Sequence, residues 1–324
     1  MQMQAIISNR YGPLEALQQR EIDRPAIGER EVLVRVRAAG LHIGDVFVVR
    51  GTPFPVRAMT GLRRPRYGVP GFDLAGEVVE VGPRVTRFRP GDAVFGSGVG
   101  TAAEFARAEE RTLAALPPGM SVTDAAALAT SGSAALHGLR DAGRLQAGWR
   151  VLVNGASGGV GSFAVQIAKA MGAEVTGVAS GPNLDLVRSL GAEHVIDYTS
   201  EDFTHATGAY DLILDNVENH PLATVRRALT PRGTLVLNSG TGATGLAMLV
   251  RLVRPLVISP FVGHRLTRFL SNPNADDLAL LASWVEDGSV RPVIERTYAL
   301  GETVEALRNI ASGRTRGKVV VSVA

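Results

Sequence analysis

Residues 149–161 read WRVLVNGASGGVG, and the prediction of the fold starts from this segment. The apolar run at 149–155 predicts a buried strand, and the segment VGSFAVQIAKAMG that follows the turn predicts a helix ended by glycine. The turn between them has the spacing Ala156-x-Gly158-x-x-Gly161, which is the dinucleotide-binding fingerprint with alanine at its first position. The strand, the turn and the helix together predict the first unit of a nucleotide-binding fold.

Each small residue of this turn has a reason in the chemistry of a pyrophosphate. A small residue at position 156 permits the tight turn, Gly158 lets the backbone approach the phosphates, and Gly161 lets the helix pack against the strand. The helix N-terminus adds free N–H groups and the positive end of the helix dipole. The predicted dinucleotide contacts are Ala156, Ser157, Gly158, Gly159, Val160 and Gly161.

Strand-like and helix-like segments alternate along the rest of the middle of the chain. Further strands are predicted at AEVTGVAS, AEHVIDY, YDLILDN and GTLVLNSG, with helices at NLDLVRSLG and LATVRRALT. Apolar strands that alternate with helices form a parallel sheet covered on both faces. The middle of the chain is therefore predicted to be a doubly wound α/β domain.

The first third of the chain has a different pattern. EVLVRVRAAG at 31–40 alternates apolar and charged residues, as a half-buried strand does, and GFDLAGEVVEVG at 71–82 is a second such region. Glycine and proline punctuate this part densely, which predicts a small β-barrel-like domain. The last part holds two predicted helices, at 274–288 and 302–313, and closes on the strand GKVVVSV.

The composition excludes several classes of protein. The chain has 324 residues, of which 45% are hydrophobic and none is cysteine, so disulfides, thiol catalysis and zinc sites built from thiolates are excluded. No apolar run is long enough to span a membrane and no signal peptide is recognisable, so we expect a cytoplasmic protein. A net charge of +3 does not indicate polyanion binding, and no basic motif interleaved with aromatic residues predicts nucleic-acid binding.

The end of the strand after the glycine turn bears on the choice of dinucleotide. NAD-specific sites usually place an acidic residue there to bind the ribose 2′-hydroxyl. Here Ala179 to Asn183 stand in that place without an acid, which argues against strict NAD specificity. Ser180 and Asn183 are candidate partners of a 2′-phosphate, with Arg188 or Tyr198 nearby in the sequence. The alternative is that these residues only form the turn and cap the next helix.

Segments spread over nearly the whole chain resemble the zinc-free quinone oxidoreductase (zeta-crystallin-like) branch of the medium-chain dehydrogenase/reductase superfamily. In the family's order they include AAGLHIGDVFVVRG, VPGFDLAGEVVEVGPRVTRFRPGDAVFG, AAALATSGSAALHGL, NGASGGVGSFAVQIAKAMGA, YDLILDNV and GRTRGKVVV. The resemblance implies a chaperonin-10-like, β-rich catalytic domain made of residues 1–123 and 266–324. It implies a Rossmann domain with a doubly wound parallel sheet at 124–265.

The positions that bind a catalytic zinc in related families hold different residues in this sequence. Zinc-dependent relatives place a cysteine at the position of His42 and a His-Glu pair at Phe72-Asp73. Phe72 cannot bind a metal, and His42 with Asp45 is too small a set for a zinc held by three protein ligands. We therefore predict no metal site and no zinc.

The resemblance implies NADPH-dependent reduction of a quinone or an α,β-unsaturated carbonyl, with NADH as an alternative donor. Such acceptors need no metal, because hydrogen-bond donors can stabilise the charge that develops on oxygen. His42, where the family usually has asparagine, is either a true acid or a polar wall of the nicotinamide pocket. Asp45 matches a family acidic position close to the site, and the alternative is that it only orients the loop.

Further cofactor contacts are implied residue by residue. Thr130 lies in the family's segment near the nicotinamide ribose, and Tyr198 matches a family position at the adenosine 2′-phosphate. A third group follows a later strand, at the carboxyl edge of the sheet where cofactor contacts gather. It consists of Asn238, Ser239 and Gly240. The family often has lysine or arginine around 182–183, and their absence here leaves the preference between NADPH and NADH open.

Other interpretations are compatible with the same residues. The fold also supports alcohol dehydrogenase-like chemistry, or reduction of an enoyl thioester whose carrier phosphates would suit the basic loop at 52–68. The alternative interpretation of this loop is a solvated basic surface without a binding role. An NADPH-binding protein of another class, a redox sensor or structural protein without significant turnover, would have the same glycine turn.

We also expect a homodimer, because family members usually pair through an edge strand of the cofactor domain. The apolar segment 255–262 is the candidate contact. Burial of this segment inside the monomer would explain its composition equally well.

Overall fold

The computed structural model describes residues 1–238 and 253–323, which form two compact units. The first unit comprises Met1–Ser133, Asn272–Gly288 and Pro292–Ala324, and the second comprises Ala134–Ser271 and Ser289–Arg291. The first unit extends to Ser133, whereas the sequence-based limit was residue 123, and the helix from Val122 to Leu136 crosses from the first unit into the second.

The first unit is built on an antiparallel sheet with the strand order β14-β15-β3-β4-β5-β7, in which β6 also pairs with β3. Numbered along the chain, its strands are β1 (Gln2–Ile7), β2 (Gln18–Asp23), β3 (Glu31–Leu41), β4 (Asp73–Val81), β5 (Ala93–Ser97), β6 (Phe105–Glu109), β7 (Leu113–Ala115), β14 (Ile294–Ala299) and β15 (Lys318–Ser322). β1 and β2 form a separate antiparallel pair, and β14 is parallel to β15. The helices that lie in or enter this unit are α1 (Ile43–Arg50), α2 (Phe54–Thr60), α3 (Val122–Leu136), α7 (Ala275–Glu286) and α8 (Thr303–Ala311).

Between Glu31 and Arg37 the period of two in β3 is observed, with one exception that has a structural cause. Val32, Val34 and Val36 are buried in the main core of the unit. Leu33 points to the other face and is nevertheless buried, with only 4% of its surface exposed, because Met3 and other apolar residues of a second cluster cover it. β3 is therefore covered on both faces at this point.

The second unit has the predicted doubly wound arrangement. Its strands pair in the order β10-β9-β8-β11-β12-β13, and every pairing is parallel. They are β8 (Arg150–Asn154), β9 (Glu174–Ala179), β10 (His194–Asp197), β11 (Tyr210–Asp215), β12 (Leu229–Leu237) and β13 (Arg265–Arg268). The helices are α4 (Gly159–Ala170), α5 (Leu184–Ser189) and α6 (Leu222–Arg227), and a π-helical turn at His137–Ala142 follows α3.

The chain order reverses between β8 and β11, because β9 and β10 extend the sheet on one side and β11 to β13 extend it on the other. Open α/β sheets bind ligands at the carboxyl ends of the strands beside this reversal. The fold therefore points to the glycine turn after β8 as part of a ligand site. Within the described ranges, every helix is too short or too polar to cross a membrane.

Candidate active site

The glycine turn lies between Asn154, where β8 ends, and Gly159, where α4 begins. Gly155 has a φ of 77°, a left-handed conformation that favours glycine. A Cβ on Gly161 would lie 2.0 Å from the carbonyl oxygen of Gly155, so packing requires glycine there. A Cβ on Gly158 would meet the same oxygen at 3.5 Å, which is ordinary contact. Packing within the chain does not require glycine at 158, and its missing side chain leaves space for a ligand beside the backbone.

The residues around this turn are arranged as a pyrophosphate site requires. Ala156 is fully buried and donates its backbone N–H to Val178 at 2.9 Å, which ties the turn to β9. Ser157, Gly159 and Val160 are half-buried at the start of α4. N–H groups in the first turn of a helix have no intrahelical acceptor, and the helix dipole is positive there. The turn therefore fits the pyrophosphate of a dinucleotide.

A chain of polar side chains lies at the carboxyl ends of β8, β11 and β12. Parallel pairing places Asp215 beside Asn154, whose Nδ2 donates to Asp215 Oδ1 at 2.8 Å. Asn216 Nδ2 donates to the carbonyl oxygen of Asn154 at 3.2 Å, and Asn238 Nδ2 donates to Asn216 Oδ1 at 2.8 Å. Asn238, a predicted cofactor contact, thus lies at the strand ends beside the reversal. Ser239 and Gly240, predicted with it, lie outside the described residues.

Three residues predicted at the adenosine 2′-phosphate lie together at the end of β9. The register of β10 places Asp197 beside Ala179, and the N–H of Tyr198 donates to the Ala179 carbonyl at 3.1 Å. Asn183 Nδ2 donates to Ser180 Oγ at 3.0 Å. Tyr198 is 59% exposed. The neighbouring strand therefore brings Tyr198 to the turn that contains Ser180 and Asn183.

The same register brings an acidic residue, Asp197, to this turn, although the segment 179–183 itself contains no acid. Asp197 Oδ1 accepts from the N–H of Thr199 at 3.0 Å and from its hydroxyl at 2.8 Å, and these bonds hold the pKa of Asp197 below its usual range. Its Oδ2 lies 2.8 Å from the position of a Cβ on Gly181. Arg188, a cationic candidate, pairs instead with Asp185 at 2.9 Å.

In the first unit, His42 caps the N-terminus of α1. Its Nδ1 accepts a hydrogen bond from the backbone N–H of Gly44 at 3.0 Å. A neutral imidazole has one nitrogen that accepts and one that donates, so the proton is assigned to Nε2. Nε2 is buried and has no hydrogen-bond partner among residues 1–238 and 253–323. The ring stacks on Phe72, with ring centroids 5.8 Å apart.

Asp45 completes the cap from the other side. Its Oδ2 accepts the backbone N–H of His42 at 2.7 Å, the reciprocal bond of a capping box. The Asp45 side chain is fully buried, and this burial raises its pKa to about 7. Burial also lowers the pKa of His42 to about 4. The arrangement favours a neutral histidine at the start of α1.

Thr130 is held by a buried ion pair. Its backbone N–H donates to Asp73 Oδ1 at 3.2 Å, and its hydroxyl donates to the same oxygen. Asp73 Oδ2 faces the Lys318 ammonium at 3.7 Å, and that ammonium donates to Ser131 Oγ at 3.0 Å. Burial raises the pKa of Asp73 and lowers that of Lys318, and the opposite charge of each partner counteracts both shifts.

Comparisons with known proteins agree with this architecture. Residues 28–118 match the family described as alcohol dehydrogenase GroES-like domain, and residues 190–321 match the family described as zinc-binding dehydrogenase. The chloroplast envelope quinone oxidoreductase homolog of Arabidopsis thaliana is 30% identical, over 98% of this chain and 98% of its own. The trans-enoyl reductase pgmF of Aspergillus terreus is 32% identical, over 92% of this chain and 87% of its own. The chain belongs to the medium-chain dehydrogenase/reductase superfamily.

A solved structure extends the comparison to the whole fold of this medium-chain dehydrogenase/reductase. The quinone oxidoreductase from Coxiella burnetii superposes with a TM-score of 0.87 at 28% identity, covering 100% of both chains. The fold class and the family resemblance predicted from the sequence are confirmed. The protein is an NAD(P)H-dependent oxidoreductase of this superfamily.

The donor set of this medium-chain dehydrogenase/reductase does not fit a catalytic zinc, although one matching family carries zinc in its description. No group of three or more His, Cys, Asp or Glu side chains in the described part of the chain is arranged to hold a metal. The Nδ1 lone pair of His42 is engaged by Gly44, and Phe72 offers no ligand atom. Asp73 faces the ammonium of Lys318, whose positive charge opposes a second cation.

Sequence reasoning missed a set of polar residues that the fold of this medium-chain dehydrogenase/reductase brings to the predicted ones. They are Asp73, Ser131 and Lys318 in the first unit, and Asn154, Asp197, Asp215 and Asn216 in the second. A partial signal was present, because the apolar runs VLVN and LILD each end on a polar residue at the carboxyl edge of a strand. The catalytic and cofactor roles of all these residues stay predictions.

Proposed function

We propose that this protein is a zinc-independent NADPH:quinone or enone oxidoreductase that reduces its acceptor by direct hydride transfer. The nicotinamide cofactor supplies the hydride when it is bound. Relatives named as a quinone oxidoreductase homolog and a trans-enoyl reductase support acceptors of this conjugated kind. Addition of hydride to a conjugated carbon leaves negative charge on an acceptor oxygen, so the chain has to supply a hydrogen-bond donor to that oxygen.

The observation that carries the proposal is the buried Nε2–H of His42, which has no hydrogen-bond partner in the described part of the chain. A buried donor without an acceptor costs about 1–3 kcal/mol, and such groups are retained where a ligand completes them. Since the pKa of His42 is about 4, the ring is neutral at pH 7 and donates a hydrogen bond without giving up its proton. His42 therefore stabilises the acceptor oxygen, and water returns the proton to the product.

Asp45 serves this site as a positioning residue. Its Oδ2 accepts the backbone N–H of His42 at 2.7 Å, so this oxygen is engaged in the cap. The capping box fixes the start of α1, and with it the direction of the imidazole ring. Placement of a donor within tenths of an ångström decides how well it meets a developing charge.

The predicted cofactor residues supply contacts along the whole dinucleotide. In the second unit, residues 156–161 bind the pyrophosphate and Asn238 offers a further contact at the strand ends. In the first unit, Thr130 serves the nicotinamide ribose. Ser180 and Asn183 offer a hydroxyl and an amide to a 2′-phosphate, which supports NADPH. The carboxylate of Asp197 beside the same turn opposes that phosphate, so NADH is the alternative donor.

Reduction of an enoyl thioester is a second candidate, and one surface feature favours it. Arg63, Arg64 and Arg66 are all exposed in the loop that follows α2. A cluster of guanidinium groups attracts phosphates such as those of a thioester carrier. The relative named trans-enoyl reductase supports the same class of substrate.

A steady-state assay tests the proposal. Purified protein is mixed with NADPH or NADH and with a quinone, an enone or an enoyl thioester, in the presence of a metal chelator, and nicotinamide absorbance is followed. Saturable, chelator-resistant oxidation of NADPH by a quinone or an enone supports the proposal. Turnover confined to the enoyl thioester favours the second candidate. Bound nucleotide without turnover of any acceptor refutes both and favours a non-catalytic NADPH-binding protein.

We also propose that the protein forms a homodimer through its second unit. Val253, Leu256, Val257 and Phe261 are each more than half exposed. β13 is the outermost described strand on this side of the sheet, and an edge strand can pair with a strand of another copy. Light scattering of the native protein is expected to give a dimer, and Phe261→Glu is expected to shift it toward the monomer. A native monomer would contradict the assignment.

A further inference from the structure

Lys318 is an unusual residue for this chain. Lys169 and Lys318 are the two lysines among 34 basic residues, and all the others are arginine. Lys169 is a surface residue whose side chain is 52% exposed and pairs with Glu193. The side chain of Lys318 is 1% exposed, at the first position of β15. A chain that uses arginine almost everywhere thus has lysine at a fully buried site, where a compact ammonium fits and a planar guanidinium fork is bulkier.

The Lys318 ammonium is connected to Thr130 through its ion-pair partner. Lys318 faces Asp73 at 3.7 Å and donates to Ser131 Oγ at 3.0 Å. Asp73 in turn accepts both the N–H and the hydroxyl of Thr130 on Oδ1. The two ends of the ion pair therefore hold two consecutive hydroxyl residues of α3.

Gly40 allows these elements to approach. Its position in β3 lies opposite Asp73 in β4. A Cβ on Gly40 would lie 2.0 Å from the carbonyl oxygen of Ala126 in α3 and 3.1 Å from the Cβ of Asp73. A larger residue at position 40 would push α3 away from β4. The close contact places Thr130 within hydrogen-bond distance of Asp73.

The direction of the hydrogen bonds has a chemical consequence. The single proton of the Thr130 hydroxyl is donated to Asp73, so its oxygen presents lone pairs to any further partner. A ligand group at Thr130 must therefore be a donor, such as the carboxamide N–H₂ of nicotinamide or a ribose hydroxyl. This polarity holds while Asp73 is ionised, since a protonated carboxyl would itself donate.

The ammonium of Lys318 favours the ionised form of Asp73 and opposes the effect of burial. An isolated buried carboxylate favours its neutral form, and a nearby ammonium favours the charged one. The ionisable groups that influence Asp73 are Lys318, His42 and Asp45, and the charge of Lys318 has the largest stabilising effect on the carboxylate. Through Asp73, the ammonium thus favours a Thr130 hydroxyl that donates to the carboxylate.

We propose that Lys318 and Asp73 are positioning residues that fix the Thr130 hydroxyl as a hydrogen-bond acceptor for the nicotinamide end of the cofactor. The inference rests on the proposed NADPH-dependent function. It adds two residues of the first unit to the cofactor site, both acting through Thr130.

Equilibrium binding of two ligands tests the assignment without relying on turnover. NADPH carries the nicotinamide, and adenosine 2′,5′-bisphosphate lacks both the nicotinamide and its ribose. Lys318→Met and Asp73→Asn are each expected to weaken NADPH binding about tenfold, the loss of one good hydrogen bond, and to leave the affinity for the bisphosphate unchanged. The double variant is expected to lose no more than either single variant, because both act through one hydroxyl.

Substitutions of Thr130 itself provide a milder test, in case the buried variants fail to fold. Thr130→Val is expected to match the loss seen in Lys318→Met, and Thr130→Ser to retain native NADPH affinity. Lys169→Met is the matched control, since it removes the exposed lysine. Thermal unfolding of each variant reports folding separately from binding.

The outcomes separate this inference from the proposed function. Native affinity for NADPH in Thr130→Val and Lys318→Met would overturn the inference while the proposed function stands. Equal weakening of both ligands, together with a lowered melting temperature, would overturn it in favour of a structural ion pair. A native protein that binds neither ligand would refute the proposed function itself.

Discussion

The backbone N–H of Gly44 donates to Nδ1 of His42 at 3.0 Å, and this bond determines which ring nitrogen carries the proton. Because Nδ1 accepts, the neutral ring has its hydrogen on Nε2. An imidazolium would carry a second hydrogen on Nδ1, facing the N–H of Gly44, so the cap and the low pKa of His42 both favour the neutral form. The sequence alone allowed two roles for His42, a true acid or a polar wall of the nicotinamide pocket. This geometry favours a third role, a neutral hydrogen-bond donor.

Replacement of His42 tests the donor role. His42→Phe keeps a ring that can stack on Phe72 but removes the N–H, and we expect kcat to fall about 100-fold, as for the loss of one oxyanion donor. His42→Asn keeps a donor and is expected to retain more activity than His42→Phe. Initial rates of NADPH oxidation with a quinone measure both. Equal activity of His42→Phe and the native enzyme would reduce His42 to a pocket wall.

The pH dependence of stability should reveal opposite contributions from His42 and Asp45. The folded pKa of His42, about 4, lies below its unfolded value of 6.5, so the unfolded chain binds more protons and stability rises with pH between these values. The folded pKa of Asp45, about 7, lies above 3.8, so stability falls as pH rises across that window. Each slope is at most about 1.4 kcal/mol per pH unit, and the two oppose each other.

Single variants separate these two slopes. His42→Asn removes the rising contribution, so its free energy of unfolding should fall more steeply than that of the native protein from pH 4.5 to 6.5. Asp45→Asn removes the falling contribution and should rise more steeply over the same range. Urea unfolding at several pH values measures both, with His205→Asn, a side chain 84% exposed, as the control. Variants that shift in the same direction would contradict the opposite shifts assigned to these two groups.

The sequence predicted those parts of the fold that are encoded locally. The period of two in β3 and the glycine turn after β8 each depend on residues within one segment, and both are observed. β13 was not predicted, because a strand of four residues with two arginines has no apolar period. The burial of Leu33 does not follow from the period of β3, since its cover comes from β1 and β6 rather than from β3 itself.

The polar networks of the candidate site could not be predicted from local patterns. Thr130 and Asp73 are 57 residues apart, and Lys318 and Ser131 are 187 residues apart, so their contact depends on strand register and helix position. Asp197 reaches the cofactor turn by the same route, from the strand beside it. No local feature of the sequence distinguishes these residues from ordinary charged residues at strand ends.

The two glycines of the turn should respond differently to alanine. Gly158→Ala adds a Cβ whose nearest atom is 3.5 Å away, so we expect a native melting temperature but NADPH binding weakened at least tenfold, because the methyl group would meet the pyrophosphate. Gly161→Ala adds a Cβ 2.0 Å from a carbonyl oxygen and should lower the melting temperature. Thermal unfolding and fluorescence titration with NADPH measure the two effects. Native NADPH affinity in Gly158→Ala would place the pyrophosphate elsewhere.

The charge at position 183 should set the preference between the two nicotinamide cofactors. Asn183 donates to Ser180 at 3.0 Å, and the carboxylate of Asp197 lies beside the same turn. Asn183→Arg adds a cation for a 2′-phosphate and is expected to raise the ratio of kcat/KM for NADPH over NADH about tenfold, whereas Asn183→Asp should lower it by a similar factor. Arg188→Gln is the control, because Arg188 pairs with Asp185 at 2.9 Å and should leave the ratio unchanged. An unchanged ratio in both Asn183 variants would mean that the 2′-phosphate does not bind at this turn.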